Sequence, residues 1–410
     1  MQSVRSLHFS LPQETDPLQP GSQQPGLLPR RVEFRNRMHR LRTLRRGLPG
    51  CSDRSLEVGS PVEKRLFIKG NEALAQGAIK AGCRFYFGYP ITPQNDIPEF
   101  LSKQLARVEG CFIQAESEVA SINMLLGASA AGARAMTSSS SPGISLMQEG
   151  ISYLAGSELP AVIVNITRSG PGLGGISASQ GDYFQATRGG GHGDYRTLVL
   201  APHSVQEMHD LALLAFDLAD KYRNPVVILG DAVLGQMQET MIDRAYRPME
   251  LAPKDWTLTG AAARKPRLIK SLYLKEGEME RHNWKLFEKY QRMKEVEVRY
   301  ETSLEEDAQL VVVAFGTTAR VSKTAIRLAR NEGLRVGLFR PITLFPFPDQ
   351  ALLDLSRRVK RFLSIEMNTG QMVEDVRLSV VRDAAVHFYG HPPGSPPVPE
   401  ELLGAIKKAY

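Results

Sequence analysis

The stretch Gln114-Ala-Glu-Ser-Glu-Val-Ala120 opens the most informative region of this 410-residue chain. It leads into small and apolar residues as far as Gly132, which predicts a helix over residues 116–131. A short apolar run at residues 85–89 predicts a buried strand before the helix, and another strand is predicted near residues 133–137. Short apolar strands that alternate with helices indicate a parallel sheet covered by helices on both faces.

The same alternation continues along most of the chain and predicts an α/β fold with two doubly wound parallel-sheet domains joined by a linker. Further strands are predicted at residues 161–166, 225–229, 310–315, 336–339 and 362–365, and further helices at residues 70–80, 144–154, 204–219, 316–331 and 348–359. We expect five segments: a disordered extension over 1–63, a first domain over 64–237, a linker with a charged helix over 238–305, a second domain over 306–392 and a proline-rich tail over 393–410.

The first 63 residues are rich in Pro, Gln, Ser, Gly and Arg and show little apolar periodicity, which predicts disorder. The arginine-rich run over residues 30–46 is also compatible with an organelle-targeting helix, although the acids and prolines around it disfavour that hypothesis. The net charge of the chain is +7, and this extension holds ten arginines against six acids, so the remainder is nearly neutral. A nucleic-acid-binding surface would require a basic patch on the folded part, and we predict no such function.

Three cysteines, Cys51, Cys83 and Cys111, lie far apart in the sequence. An iron–sulfur cluster normally takes four thiolates at characteristic spacing, so we expect this chain to hold none. The small number of cysteines and the absence of a secretory signal point to the reducing cytoplasm. No apolar stretch reaches the roughly 18 residues that span a bilayer.

Two motifs carry a resemblance to a known family: Gly88-Tyr-Pro-Ile-Thr-Pro-Gln94, and the Ser117-Glu118 pair at the head of the small-residue helix. Together they resemble the α subunit of 2-oxoacid:ferredoxin oxidoreductases, which use thiamine diphosphate to oxidise 2-oxoacids to acyl-CoA. The resemblance runs from about residue 64 to about residue 388. It implies a thiamine pyrimidine-binding type of first domain and a second domain like the C-terminal domain of transketolase.

Glu118 is the residue that the resemblance identifies as catalytic and cofactor-binding. A carboxylate that enters so apolar a helix is expected to be desolvated, which favours sharing a proton. In thiamine enzymes such a group bonds N1′ of the aminopyrimidine and favours the imino form that removes the C2 proton of the thiazolium. Taken alone, Glu118 is equally typical of a first-turn acid that the helix dipole favours, and we assign that role to Glu116.

The resemblance also implies roles for residues at two strand ends. Thr92 would contact the carboxylate or keto group of the substrate, and Tyr89 and Pro90 would border the cofactor. Arg168, which follows the strand over 161–166, would hold the planar carboxylate of a 2-oxoacid in a bidentate manner. Alternatively, Thr92 caps the next helix and Arg168 is solvated or ion-paired.

Three further loops give weaker indications. The glycine-rich loop Gly170-Pro-Gly-Leu-Gly-Gly175 lacks the features of a phosphate-binding loop, and we interpret it as an active-site wall that continues through residues 179–182. His192 lies in a second glycine-rich loop and is most simply a loop residue. The hydroxyl run at residues 137–141 precedes a helix, where it either borders the thiamine site or serves as ordinary helix capping.

The chain lacks the Gly-Asp-Gly motif with a downstream Asn that binds Mg²⁺ and diphosphate in thiamine enzymes. The resemblance places that motif, together with iron–sulfur ligands, on a separate β subunit, and it implies γ and ferredoxin-like δ subunits and ferredoxin as further partners. The second-domain motifs Gly316-Thr-Thr318 and Glu366-Met-Asn-Thr-Gly-Gln371 suit subunit contact. The chain is therefore expected to supply half of an active site.

The implied reaction is oxidative decarboxylation of a 2-oxoacid with coenzyme A to acyl-CoA and CO₂, with two electrons passing to ferredoxin. Residues 366–368 and 371–377 most resemble the branched-chain type, which uses 3-methyl-2-oxobutanoate. The 2-oxoglutarate, pyruvate and indolepyruvate types are alternatives, as is a non-catalytic assembly subunit. A second carboxylate, as on 2-oxoglutarate, would call for a further cation such as Arg134 or Arg188.

Overall fold

The computed structural model describes residues 64–304 and 306–410. The hypotheses about residues 1–63, including Cys51, therefore lie outside the described residues. The described strands are β1 (Lys64–Lys69), β2 (Phe85–Gly88), β3 (Cys111–Gln114), β4 (Ala135–Ser139), β5 (Ala161–Thr167), β6 (Leu198–Leu200), β7 (Pro225–Asp231), β8 (Gln238–Asp243), β9 (Tyr300–Ser303), β10 (Leu310–Val313), β11 (Val336–Pro341), β12 (Thr343–Phe345), β13 (Arg361–Glu366) and β14 (Ala385–Gly390).

The described α-helices follow the amphipathic stretches between these strands. They are α1 (Gly70–Lys80), α2 (Asp96–Leu105), α3 (Glu118–Ala130), α4 (Ser141–Gly156), α5 (Tyr183–Arg188), α6 (Val205–Tyr222), α7 (Ala232–Gln236), α8 (Glu278–Val296), α9 (Gly316–Asn331), α10 (Asp349–Arg358), α11 (Met372–Leu378) and α12 (Pro399–Ala409). No helix of the described part of the chain is long and apolar enough to cross a membrane.

The first domain is built on a seven-stranded sheet with the order β12-β6-β7-β5-β4-β2-β3. Six of its strands run parallel, and β12 pairs antiparallel with β6 at one edge. Strand β5 shows why helices must cover both faces. Its Val162 and Val164 join the apolar cluster of α1, α2 and α6, whereas its Ile163 joins the cluster of α3 and α4.

The segment predicted as a linker is organised into elements that belong to both domains. Strand β8 pairs antiparallel with β1 in a separate two-stranded sheet, and β9 joins the sheet of the second domain. Helix α8 packs on the first domain because Leu286, Tyr290 and Met293 form an apolar stripe at helical spacing. The charged helix predicted within this segment thus belongs to the first domain of the same chain.

The second domain has a five-stranded sheet with the order β14-β13-β10-β11-β9, in which only β9 is antiparallel. The structure differs from the expected proline-rich tail, because the chain forms α12 from Pro399 onward. Leu402, Ile406 and Ala409 recur at helical spacing and pack with α9 in the apolar cluster of this domain. The prolines of the tail stop at the helix start, where a proline is tolerated.

The two domains share a continuous apolar core, and one strand from the second domain, β12, joins the sheet of the first. Val311 and Val313 of β10 face the cluster that also contains α3 and α4, while the intervening Val312 faces α9 and α12. After β11 the chain returns to the first sheet as β12. Burial of this shared apolar surface fixes the second domain against the first.

A buried arginine completes the contact between the domains. Arg340 of β11 is 2% exposed. Its Nη1 and Nη2 lie 3.0 and 2.8 Å from the carboxylate of Glu207 on α6, and its Nε lies 2.7 Å from Glu301 on β9. Burial opposes the ionisation of Glu207, but the hydrogen bond from His203 and the charge of Arg340 outweigh it and lower the pKa of Glu207 to about 2.

We predict that Glu207→Gln destabilises the folded chain by about 1.5–3 kcal/mol near neutral pH, because it removes a hydrogen-bonded charge from Arg340. Ionised Glu207 contributes its full stabilisation above the unfolded pKa of 4.5 and loses it as the pH falls towards 2. The difference between wild type and variant should therefore be largest above pH 4.5 and shrink below it. Thermal melts across this pH range measure the difference.

Glu332→Gln is the control, since Glu332 pairs with Lys407 on the surface at 2.6 Å and both side chains are about half exposed. Exposed pairs contribute at most about 1 kcal/mol. Equal destabilisation by the two variants would contradict a special role for the buried contact.

Candidate active site

The residues that the sequence analysis assigns to a site lie at one edge of the seven-stranded sheet. Tyr89, Pro90 and Thr92 follow β2, Glu118 opens α3 directly after β3, and Arg168 follows β5. At this edge the carboxyl ends of the parallel strands lie together. Ligands of open α/β sheets bind just outside the carboxyl ends of the strands.

Glu118 is a buried carboxylate without a partner. Ser117 caps α3 by accepting a hydrogen bond from the N–H of Ala120 at 3.2 Å, which makes Glu118 the first helical residue. Glu118 is only 6% exposed, and no hydrogen bond or ion pair from another described residue reaches its carboxylate. Buried carboxylates are normally paired. Glu118 therefore occupies the first turn, whereas Glu116, to which we assigned that role, is exposed and lies before the helix begins.

Gly143 provides the space into which the Glu118 carboxylate projects. A Cβ atom at Gly143, in the first turn of α4, would lie 2.6 Å from Glu118 Oε1 and would also collide with Ser139 Oγ. The carboxylate thus packs against the N-terminal turn of α4, and the sequence Ser-Pro-Gly143 permits the approach because glycine carries no side chain.

Arg168 carries a buried positive charge without a counter-ion among the described residues. The residue is 9% exposed, and its two Nη atoms donate to the backbone oxygens of Thr92 at 3.2 Å and Leu173 at 2.9 Å. Its Nε has no partner in the described structure. A guanidinium has five N–H donors, so most of them remain for an anion. The alternative of a solvated or ion-paired arginine does not describe this geometry.

Thr92 is exposed at the end of the loop that follows β2. The Nδ2 of Asn95 lies 3.5 Å from the Thr92 hydroxyl, and Asn95 itself is the N-cap residue of α2. Since no backbone N–H of α2 is capped by a side chain, the helix-capping alternative for Thr92 is not observed. Its hydroxyl is free to meet a ligand outside the sheet edge.

Gln94 supports this loop from below, and the sequence analysis missed it. The residue is fully buried, its Nε2 donates to Tyr89 O at 3.3 Å, and its Oε1 accepts from Ser138 Oγ at 2.6 Å. Ser138 is in turn bonded to the hydroxyl of Tyr86 at 2.8 Å. An isolated glutamine after two prolines gives no periodic signal, so only its place in the motif could have indicated it.

The hydroxyl run before α4 does not act as a conventional cap. Ser140 is the N-cap residue, yet its side chain makes no capping hydrogen bond. The hydroxyls of Thr137, Ser139 and Ser140 are all buried and have no partner in the described part of the chain. Ordinary capping therefore does not explain this composition, and one of these hydroxyls, that of Ser139, lies next to Glu118.

A second polar network fixes the start of α4 from the side of β5, and it too was missed. Asn165 accepts from the N–H of Ser141 at 3.1 Å and donates to Asp182 at 2.8 Å. The hydroxyl of Ser141 accepts from the N–H of Arg168 at 3.0 Å. Burial raises the pKa of Asp182, and hydrogen bonds from Ser141 and Asn165 offset part of the rise.

One expectation about the loops needs correction. The active-site wall was expected to continue through residues 179–182, but Ser179 and Gln180 are buried in the contact with the second domain. The glycine-rich loop that precedes Ser179 does border Arg168. Its Leu173 and Ile176 are 81% and 68% exposed. His192 is an exposed loop residue.

Gln180 joins the first domain to the motifs of the second. Its Nε2 donates to Phe315 O at 2.8 Å, and its Oε1 accepts from Met367 N at 3.0 Å and from the Thr318 hydroxyl at 3.2 Å. Its backbone carbonyl accepts from Asn368 at 2.9 Å. The motifs at 316–318 and 366–371 thus hold the two domains together.

Glu366 organises the second of these motifs. Its fully buried carboxylate accepts from the N–H groups of Gln371, Met372 and Val373 and from the side chains of Ser364 and Asn368. The contrast with Glu118 is informative, because a buried carboxylate with a structural role is saturated with donors.

The two arginines considered for a second substrate carboxylate are already committed. Arg134 precedes β4 at the opposite edge of the sheet and pairs with Asp217 and Asp220 at 2.7 and 2.8 Å. Arg188 pairs with Asp375 of the second domain at 2.8 Å. Arg134 therefore lies away from the candidate site, and Arg188 is balanced by a carboxylate.

The donor set fits the aminopyrimidine half of thiamine diphosphate. A mostly buried glutamate whose carboxylate has no partner among the described residues, the Ser139 hydroxyl and a glycine that leaves space beside them suit a flat, nitrogen-rich ring. Among the described residues there is no group of three or more His, Cys, Asp or Glu side chains that could hold a metal ion. The residues of this edge thus fit one half of the cofactor.

Comparison with protein families agrees with both domains. The thiamine diphosphate-binding domain of pyruvate flavodoxin/ferredoxin oxidoreductases matches residues 76–303. Core domain II of pyruvate:ferredoxin oxidoreductase matches residues 308–402, which includes the start of α12.

Individual relatives share most of the chain. Ketoisovalerate oxidoreductase subunit VorB of Methanothermobacter thermautotrophicus is 54% identical over 312 residues, which cover 76% of this chain and 89% of the relative. The 2-oxoglutarate synthase subunit KorA of the same organism is 38% identical over 371 residues, covering 83% and 98%.

A solved structure shows the same fold. The 2-oxoglutarate:ferredoxin oxidoreductase from Magnetococcus marinus, with 2-oxoglutarate, coenzyme A and succinyl-CoA bound, superposes with a TM-score of 0.79 at 26% identity. The similarity covers 85% of this chain, which spans only 65% of that one.

The chain belongs to the pyruvate flavodoxin/ferredoxin oxidoreductase family, and its first domain is the thiamine diphosphate-binding domain of that family. It is a subunit of a 2-oxoacid:ferredoxin oxidoreductase. The resemblance inferred from the two motifs, and the α/β fold class, are confirmed.

We predict that Glu118→Gln lowers turnover of the assembled enzyme by at least about 10²-fold, because an amide cannot share a proton as a carboxyl does. The substitution preserves side-chain size, so assembly and thermal stability should be unchanged. Steady-state rates, combined with size-exclusion chromatography of the complex, test both expectations.

Glu116→Gln is the matched control, since Glu116 is exposed two residues earlier. This control should keep the full rate. Retained turnover in Glu118→Gln would remove Glu118 from the mechanism.

Proposed function

We propose that this chain is the α subunit of an oxidoreductase that converts 3-methyl-2-oxobutanoate and coenzyme A to the acyl-CoA and CO₂, with two electrons passing to ferredoxin. The observation that carries the proposal is that Glu118 and Arg168, which are 6% and 9% exposed at one sheet edge, have no charged partner among the described residues. Assembly alone would require neither of them, and burying unpaired charges is costly. This argues against the alternative of a non-catalytic assembly subunit.

Each residue has a distinct task in the proposed reaction. Thiamine diphosphate, when bound, supplies the nucleophilic carbon that attacks the 2-oxo group. Glu118 shares a proton with the aminopyrimidine, and Tyr89 and Pro90 border the cofactor. Arg168 binds the substrate carboxylate through its remaining N–H donors, while the Thr92 hydroxyl, held beside Arg168 by the hydrogen bond to its backbone oxygen, donates to the carboxylate or keto group.

The proposed complex includes a β subunit that binds Mg²⁺ and diphosphate and carries iron–sulfur clusters, together with γ and ferredoxin-like δ subunits. Large apolar side chains around the site support a docking role: Tyr89, Val119, Leu146, Leu173 and Ile176 are between 39% and 81% exposed. Exposed apolar groups clustered around an incomplete site indicate a protein interface. We also place the complex in the cytoplasm, where Cys83 and Cys111 remain thiols.

The branched-chain substrate is favoured over 2-oxoglutarate by three observations. A relative named as a ketoisovalerate enzyme is 54% identical, whereas the KorA relative is 38% identical. In addition, Arg134 and Arg188 are each paired with aspartate, which leaves neither for a second substrate carboxylate. The apolar Leu173 and Ile176 beside Arg168 suit an aliphatic substrate side chain. The pyruvate and indolepyruvate types remain the other candidates.

The proposal is tested by anaerobic co-expression of this chain with its partner subunits and a coenzyme A-dependent viologen reduction assay. We predict that kcat/KM for 3-methyl-2-oxobutanoate exceeds that for 2-oxoglutarate, pyruvate and indolepyruvate by at least about tenfold, or 1.4 kcal/mol of transition-state binding. A complex with bound cofactor and intact clusters that reduced viologen with none of the four would contradict the 2-oxoacid reaction. Preference for another of the four would contradict the substrate alone.

We predict that Arg168→Lys raises KM for the 2-oxoacid about 10- to 100-fold, because an ammonium group cannot replace the guanidinium fork. The KM for coenzyme A should change little. Steady-state kinetics with each substrate varied in turn make the comparison, and Arg107→Lys serves as the exposed control. Unchanged kinetics in Arg168→Lys would mean that another cation holds the carboxylate.

A further inference from the structure

Among the described residues, buried hydroxyls without hydrogen-bond partners are concentrated at the end of β4 and the start of α4. Thr137, Ser139 and Ser140 are all 0% exposed, and none of their side-chain oxygens has a hydrogen-bond partner in the part of the chain described. Buried polar groups are rarely left unsatisfied, and each exception calls for an explanation such as a missing ligand or a functional partner. Three such exceptions fall within residues 137–140, and Ser139 lies next to the Glu118 carboxylate.

Ser139 is the member of this group that faces Glu118. Side chains of β4 alternate, so Met136 and Ser138 point towards α1 and α2, whereas Ala135 points towards α3 and α4, as Ser139 does. A Cβ atom at Gly143 would meet both Ser139 Oγ and Glu118 Oε1. The hydroxyl and the carboxylate therefore border the same small space.

We infer that Ser139 is a positioning residue for Glu118, which rests on the thiamine-dependent function proposed above. The Ser139 hydroxyl donates a hydrogen bond to one carboxylate oxygen when the site is filled, and this directs the other oxygen and its shared proton towards the aminopyrimidine. Gly143 keeps the intervening space open. Neither Ser139 nor Gly143 need touch the substrate, so their effect is on the cofactor and on the rate.

A hydrogen bond from Ser139 would give the Glu118 carboxylate the donor that it lacks. Among the described residues, Glu118 receives no hydrogen bond from α3 or from the N-cap residue Ser117, whose hydroxyl oxygen accepts from the N–H of Ala120. A carboxylate that must present one particular oxygen needs a fixed donor on the other. Among the three orphaned hydroxyls, Ser139 is the one whose oxygen meets the same Gly143 position as Glu118 Oε1.

The test uses the assembled holoenzyme and measures thiamine diphosphate affinity by titration together with steady-state kinetics. Ser139→Ala should lower kcat about tenfold and weaken cofactor binding by about threefold to tenfold, which is the range of the net contribution of one typical hydrogen bond. The KM for the 2-oxoacid should stay within about twofold, because Arg168 and Thr92 are untouched. Ser139→Thr, which keeps the hydroxyl, should restore both values.

Ser322→Ala is the matched control. Ser322 is also a fully buried serine without a partner for its hydroxyl, but it lies on α9 in the second domain. Its removal should leave cofactor affinity and kcat at wild-type values. If Ser139→Ala fails to assemble, Ser139→Cys keeps the size with only a weak donor and should show the same losses.

The outcomes separate this inference from the proposed function. A wild-type complex that binds thiamine diphosphate and turns over, with Ser139→Ala equal to it in affinity and kcat, would overturn the role of Ser139 alone. Equal losses in Ser139→Ala and Ser322→Ala, or no restoration by Ser139→Thr, would also overturn it in favour of a packing effect. A wild-type complex that binds no thiamine diphosphate would overturn the proposed function and this inference with it.

Discussion

The position of the candidate site depends on the hydrogen bonds that Gln180 makes across the two domains. Its side chain joins Phe315, Thr318 and Met367, and the loop that carries it continues to Asp182, which holds Asn165 and thereby the start of α4. The second domain is thus connected, through contacts between 2.8 and 3.2 Å, to the helix turn against which Glu118 packs. Such a network rigidifies its surroundings only when all its members are satisfied. The buried hydrogen-bonding atoms of Gln180 meet this condition, which explains why motifs far from the site in sequence are needed for its geometry.

The site itself follows the opposite rule, and the contrast separates structural groups from functional ones. Glu366 and Arg340 are buried charges that are fully paired, the first by five donors and the second by two carboxylates. Glu118 and Arg168 are buried to a similar degree but keep a free carboxylate and a free Nε. Because the cost of desolvating a charge is recovered only by a partner, the free groups indicate where partners from outside the chain bind. The same reasoning applies to the orphaned hydroxyls of β4, whereas composition alone left them ambiguous.

The sequence alone predicted the fold class, most elements and the sheet edge at which the candidate residues lie. It could do so because the periodicity of apolar residues and the length of apolar runs reflect burial directly. It failed where tertiary contact decides the outcome. We predicted no strand over residues 343–345. They nevertheless extend the first sheet as β12, because the chain leaves β11 at a point where it can pair with β6. The helix α12 was missed although Leu402, Ile406 and Ala409 have helical spacing, because the prolines before it dominated the interpretation. Gln94, Asn165 and Gln180 support the site through backbone oxygens and amides, and such contacts leave no pattern along the chain.

Charge balance at the site bears on substrate choice more directly than similarity does. A 2-oxoacid presents one carboxylate, and Arg168 supplies one uncompensated guanidinium. A dicarboxylic substrate would bring a second negative charge into a region where Arg134 is held at the opposite edge by two aspartates and Arg188 by a third. Releasing either arginine would remove an ion pair from aspartates whose side chains are at most 12% exposed. The chain's own ion pairs therefore disfavour a dicarboxylate unless a partner subunit supplies the cation, and the exposed Leu173 and Ile176 beside Arg168 favour an aliphatic side chain in its place.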